Sequence, residues 1–288
     1  YVVTETGMNT EIGRIAGMVN HLWDTYGGWI LAGGVAVTMA FVTLSLLAWW
    51  RSADRARVLS RITALVVLAC GVGLVLAAVI AEISENGFDV KAVAMLGVLT
   101  AMVAVVRPFG AGAAGFEAVF FVLILGGRAF GPGFGFILGN TGLFASALLT
   151  AGIGPWLPYQ MLAAAWVSFG AGLLPQVRGK KEMLIIVLYA IVSSLGYGTM
   201  MNMSFWPYAI GVTSGLSFTP GAPVLENLHT FVLFCLTTSM GWDLGRAFFT
   251  SVLLLLTAKP VLGALRRASR RAAFGVARDF GEAGVPRI

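Results

Sequence analysis

Long stretches with almost no charged side chains are the feature that most constrains this chain. Scanning for apolar runs between charged connections gives about eight candidates. They are roughly 28–50, 58–81, 90–106, 113–130, 132–151, 158–175, 183–204 and 229–257. About 20 such residues suffice for a helix to cross the hydrocarbon core of a bilayer. Inside lipid, every backbone N–H and C=O must find its partner within the segment, so runs of this length fold as helices. Charged residues make up only 11% of the 288 and hydrophobic residues 58%, against about 25% charged in soluble domains. This excludes a disordered chain, a coiled coil and an ordinary soluble enzyme. An all-α integral membrane protein is predicted.

Three of the runs, 90–106, 113–130 and 158–175, are short for a full crossing. Short spans tilt, sit half-buried or border re-entrant backbone. Only Gly131-Pro132-Gly133 separates the fourth run from the fifth. Pro is well suited to the first turn of a helix, and the flanking glycines permit a tight reversal.

Lys and Arg near the spans set the orientation. The 176–182 connection carries Arg178, Lys180 and Lys181, and the tail from Lys259 carries Arg266, Arg267, Arg270 and Arg271. Two spans separate these basic segments, so both fall on one side, predicted to be cytoplasmic. The 151–157 and 205–228 loops then face outside. The basic loop with Arg51, Arg55 and Arg57 breaks the rule in this scheme. The domain order predicted is a lead-in over 1–27, two spans over 28–87, a six-helix core over 88–258 and a basic cytoplasmic tail over 259–288. Within the lead-in, Thr6-Gly7-Met8-Asn9-Thr10-Glu11-Ile12-Gly13-Arg14-Ile15-Ala16 resembles a short segment of P-type cation ATPases. No phosphorylation motif follows it, so it reads as a fragment without ATPase activity. A plain amphipathic lead-in helix is the alternative.

Small and polar residues in the spans carry the functional signal. Gly131, Gly135 and Gly139 recur at every fourth position, and Gly97/Ala101 and Ala147/Ala151 share the spacing. Such stripes let backbones approach closely, either within a bundle or against a second membrane subunit. Asn140 and Asn202 interrupt two spans; each suits a helix–helix hydrogen bond or a ligand contact. Asp243 and Arg246, three apart on the last span, can pair on one face. They read as a neutralising structural pair near the cytoplasmic end. Cys70 and Cys235 lie in apolar runs and read as small buried thiols. The loop ends are rich in aromatic and polar groups: Trp156, Tyr159, Gln160, Trp206, Tyr208, Phe218, Glu226, Asn227 and His229. An interfacial aromatic belt is one reading, and a pocket for a flat, polar-edged small molecule is the other. The length of the 205–228 loop favours the pocket. Neither a His-Glu-x-x-His nor a phosphate-binding Gly-x-x-x-x-Gly-Lys-Ser/Thr motif occurs, so ATP-driven transport would need a motor on another chain.

From about residue 88 to 274 the chain resembles a substrate-binding S component of an energy-coupling factor (ECF) transporter. The stretch that carries the likeness is Gly127-Arg128-Ala129-Phe130-Gly131-Pro132-Gly133-Phe134-Gly135-Phe136-Ile137-Leu138-Gly139-Asn140. It runs into Gly154-Pro155-Trp156-Leu157-Pro158, an Ala-rich helix ending at Gly170 to Pro175, and Thr238-Ser239-Met240-Gly241-Trp242-Asp243-Leu244-Gly245-Arg246-Ala247. The wording resembles the actinobacterial branch, including cobalamin-type members. Asn140 stands where many S components carry Asp, so no charged role transfers to it. The resemblance implies a non-catalytic, six-helix membrane subunit with no resident cofactor. It would capture a vitamin, a corrinoid by this branch, between outward loops and topple against a transmembrane scaffold subunit served by two ABC-type ATPases. It puts Trp156, Tyr159, Gln160, Asn202, Trp206, Glu226 and Asn227 near the substrate, and Asn140 joins them as a candidate substrate contact from its place within the span. It gives partner docking to Gly97, Ala101, Gly131, Gly135 and Gly139. The alternatives are an intramembrane lipid-processing enzyme and an ATP-independent secondary transporter.

Overall fold

The computed structural model describes residues 90–110, 116–154, 156–206, 215–219 and 221–279. The 28–50 and 58–81 runs, the 6–16 segment, the 51–61 loop and Cys70 lie outside the described residues. Those described form an all-α membrane protein of six rods: α1 (Val90–Val106), α2 (Val119–Phe130), α3 (Pro132–Thr150), α4 (Leu157–Leu173), α5 (Lys180–Phe205) and a last rod of two helices. In that last rod α6 (Val224–Phe234) and α7 (Met240–Asp279) are joined by a π-helical turn at Cys235–Ser239. Three of the rods, α3, α5 and the last one, are long and apolar enough to cross a membrane.

Side-chain pairings show that successive rods alternate in direction. Thr100 bonds Thr141 and Arg107 reaches Ser146, so α1 and α3 run the same way. Gly139 abuts Ala165, Gly135 abuts Ser168 and Gly172 abuts Pro132, so α3 and α4 run in opposite senses. Along α5, Glu182 meets Arg128 and Arg266, while Asn202 meets Ser239. One end of the bundle therefore gathers the described parts of the 151–156 and 206–223 connections. The opposite end gathers the α2–α3 reversal, the 174–179 connection and the basic end of α7.

The reversal depends on Gly131, which joins α2 to α3 at φ 95°. An L side chain rarely adopts that backbone conformation, and Pro132 then fixes the first turn of α3. Beyond the reversal, α3 and α4 pack more closely than side chains would permit. A Cβ on Gly135 would meet the Ser168 carbonyl, and one on Gly139 would strike the Ala164–Ala165 backbone. Ala163, Ala164 and Ala165 on the facing helix are all buried. This overturns the expected docking face: Gly135 and Gly139 face the bundle's own α4, and Gly131 serves the turn. Gly97 and Ala101 differ, since both are exposed and a Cβ on Gly97 would meet nothing.

The outer surface of the rods is apolar. Only 28% of the apolar windows of α5 and of the last rod is buried inside the protein. Leu184, Leu188 and Val192 on α5, and Leu244, Phe248 and Leu255 on α7, face outward. A soluble monomer rarely exposes so continuous an apolar surface, whereas lipid covers it without cost.

At the reversal end, Arg128 is buried and Glu182 accepts its Nε–H at 3.0 Å. Arg128 also donates to the carbonyls of Leu174 at 2.6 Å and Pro175 at 2.9 Å. Arg266 donates to the same carboxylate through both terminal nitrogens. One acid thus ties α2, α5, α7 and the 174–175 connection. The predicted tail boundary at 259 moves accordingly, because α7 continues without a break through Lys259 and Pro260 to Asp279.

Candidate functional site

The short second helix creates the site. At about 1.5 Å per residue, the 12 residues of α2 rise roughly 18 Å, well below the 30 Å of a bilayer core. Its N-terminus therefore starts deep in the bundle. A 3-10 turn at Arg107–Gly110 closes α1, and Gly110 lies against the Phe116 carbonyl. Beneath this crossing is a cavity of about 180 Å³, lined by Arg107, Glu117, Phe120, Leu143, Gln160 and Tyr197 with Val119, Leu123 and Ala164. It lies toward the 151–156/206–223 end.

Its polar groups are firmly placed. Arg107 donates to Gln160 Oε1 at 2.6 Å, with Ser146 Oγ at 3.5 Å. Glu117 accepts from Arg246 Nε at 3.0 Å, and Asp243 accepts from Arg246 Nη1 at 2.7 Å. The guanidinium also reaches the Ser194 carbonyl at 3.3 Å. It lies 4.9 Å from the Tyr197 ring centroid and 5.2 Å from that of Phe120, close enough for cation–π attraction. The Asp243 carboxylate occupies space left by Gly198, where any Cβ would strike it. The Asp243–Arg246 pair expected from its spacing is thus formed. Two parts of that expectation change: the pair lies along the middle of the last rod, beside Ser194 and Gly198 of α5, rather than near its basic end, and Glu117 joins it as a third charge.

Of the eight residues assigned to substrate, Gln160 lines the cavity. The other seven do not line this cavity. Asn140 is buried and donates to the Phe136 carbonyl at 2.9 Å within its own helix. Asn202 donates to Cys235 Sγ at 3.3 Å and accepts from Ser239 at 2.9 Å, tying α5 to the π turn. Cys235 is half-buried there rather than enclosed. Trp206 is buried among Phe218, Phe231 and Phe234 and donates to the Leu216 carbonyl at 2.8 Å. Asn227 accepts from the Thr219 N–H and donates to its carbonyl, each at 3.0 Å, clamping the 215–219 segment to α6. Tyr159 is buried near the start of α4, while Trp156 and Glu226 are exposed.

Arg107, Glu117 and Tyr197 are cavity residues that the sequence reading passed over. A signal existed for one: Glu117 lies inside the 113–130 run, and an ionisable group within a span is costly enough to mark a functional site. Comparison of the chain with protein-family models, with curated proteins and with solved structures gives no match.

Proposed function

We propose that this protein is the substrate-capturing S component of an ECF-type importer in a bacterial plasma membrane. In this reading the 151–156/206–223 end faces outward, because the basic segments favour the cytoplasm at the other end. The cavity receives a compact solute there. The loaded subunit then topples against a scaffold subunit, and two partner ABC-type ATPases supply the energy. The chain itself performs no catalysis. The observation that carries this reading is the partly open cavity of mixed polar and apolar lining toward one end of an otherwise apolar bundle, with Arg107 and Glu117 in its lining.

Two features refine it. The exposed α1 face of Val93, Gly97, Val98, Ala101, Met102 and Val105 supports docking of the scaffold there rather than along α3. The cavity size bears on the solute. About 180 Å³ is below the 300–1,000 Å³ of drug-sized pockets. A corrinoid exceeds this volume several-fold, so the cavity favours a much smaller cargo.

A second reading rests on the Glu117–Arg246–Asp243 group. Ionisable clusters at membrane depth also serve ion-coupled secondary transporters. Uptake into sealed vesicles separates the two. The purified chain alone should accumulate no solute, and co-reconstitution with a scaffold and ATPases should give ATP-dependent uptake. Accumulation by the chain alone would overturn the importer reading and favour the secondary transporter.

A further inference from the structure

The charges around the cavity do not pair off one to one. Arg246 holds two carboxylates, Glu117 and Asp243, so with all three ionised that group carries one negative charge in excess. Glu117 uses only Oε2 in this contact, and its side chain remains 34% exposed. Arg107 has no carboxylate within ion-pair distance among the described residues. Its partners are the neutral Gln160 and Ser146. Arg107 and Glu117 both line the cavity, so its lining holds a cation without a carboxylate partner among the described residues and an acidic group with one negative charge in excess, and their sum is zero.

We infer that the cavity takes a compact zwitterion: an amino-acid-like solute with an apolar side chain. This rests on reading the cavity as the solute site. The solute's carboxylate meets the guanidinium of Arg107, whose planar fork suits bidentate contact. Its ammonium group meets the free oxygen of Glu117. Its apolar body lies along Leu123, Leu143 and Ala164. Two opposite charges line one small volume without an ion pair between them. Each gains a partner on binding, and the charge brought into the membrane is nil. A singly charged solute would satisfy one of them and add net charge at a depth where that is costly.

The test uses the full chain in lipid nanodiscs and two matched sets of probes. One set is L-leucine, 4-methylpentanoate and 3-methylbutylamine; the other is L-phenylalanine, 3-phenylpropanoate and phenethylamine. Binding is read by calorimetry and by the shift in unfolding temperature. At least one zwitterion should bind, and its two singly charged partners should bind at least tenfold more weakly. Arg107→Gln should weaken zwitterion binding at least tenfold, with Arg107→Lys retaining part of it. The wild-type probe comparison decides the matter even where a variant fails to fold. Equal binding within a set, or zwitterion binding that Arg107→Gln leaves unchanged, would overturn the inference. Native mass spectrometry of the same preparation keeps the two readings distinct. A protein that carries a compact non-zwitterionic solute and ignores all six probes sinks the inference and leaves the capture function standing. One that carries nothing and binds nothing sinks both.

Discussion

Replacing Gly139 with Leu should damage the isolated protein, whereas the same change at Gly97 should not. Both glycines belong to small-xxx-small patterns, yet their surroundings differ. A Cβ at 139 falls on the backbone of Ala164 and Ala165, and one at 97 meets nothing within 4 Å. Backbone cannot rotate aside as a side chain can, so α3 and α4 must separate. Overpacking of a tight core costs about 1–3 kcal/mol, and the rigid obstacle puts Gly139→Leu at the upper end, about 3 kcal/mol. At roughly 2–4 °C per kcal/mol for a body of this size, melting should fall by about 6–12 °C. Gly97→Leu replaces an exposed helical glycine and should leave melting within about 2 °C of wild type. Thermal unfolding in one detergent, followed by near-UV circular dichroism, measures both. Equal melting of Gly139→Leu and wild type would refute the assignment of this stripe to internal packing. If α1 is the docking face, Gly97→Leu should instead reduce co-purification with a scaffold subunit.

Other substitutions probe the two ends of the bundle. Glu182→Gln leaves the buried Arg128 without its counter-charge, and breaking a buried pair from one side costs about 3–5 kcal/mol; denaturant unfolding should show a loss of that order. Arg266→Gln should cost far less, because its side chain is 28% exposed and Glu182 keeps Arg128. At the loop end, Trp206→Ala should cost about 3–5 kcal/mol from lost core packing, with the Leu216 carbonyl losing its donor. That loss should be the same with and without bound solute, since the ring packs on Phe218 and Phe231 and does not line the cavity.

The architecture was legible because lipid imposes one rule on every span. The apolar runs 90–106 and 132–151 match α1 and α3 to within a residue, and Gly131-Pro132 marked the reversal. The site was less legible, because sequence distance hides which end a side chain reaches. Trp206, Asn202 and Asn227 have the chemistry of ligand contacts, but each is consumed by a neighbour: a carbonyl, a thiol, a backbone pair. Arg107 fell between two apolar runs and Glu117 inside the 113–130 run, and only the fold brings the two to one cavity. The glycine stripe on α3 illustrates the same ambiguity. Spacing establishes that one face is smooth, and only the position of α4 decides what lies against it.

The cavity as the place where cargo sits is the claim on which the functional account depends. Native mass spectrometry of the protein purified from rich medium, beside variants that fill the cavity, Ala164→Leu and Leu143→Phe, tests it most directly. Wild type should retain a non-covalent small-molecule mass that a folded cavity-filling variant lacks. A wild-type protein with no such mass, or a folded variant that keeps it, would contradict the account.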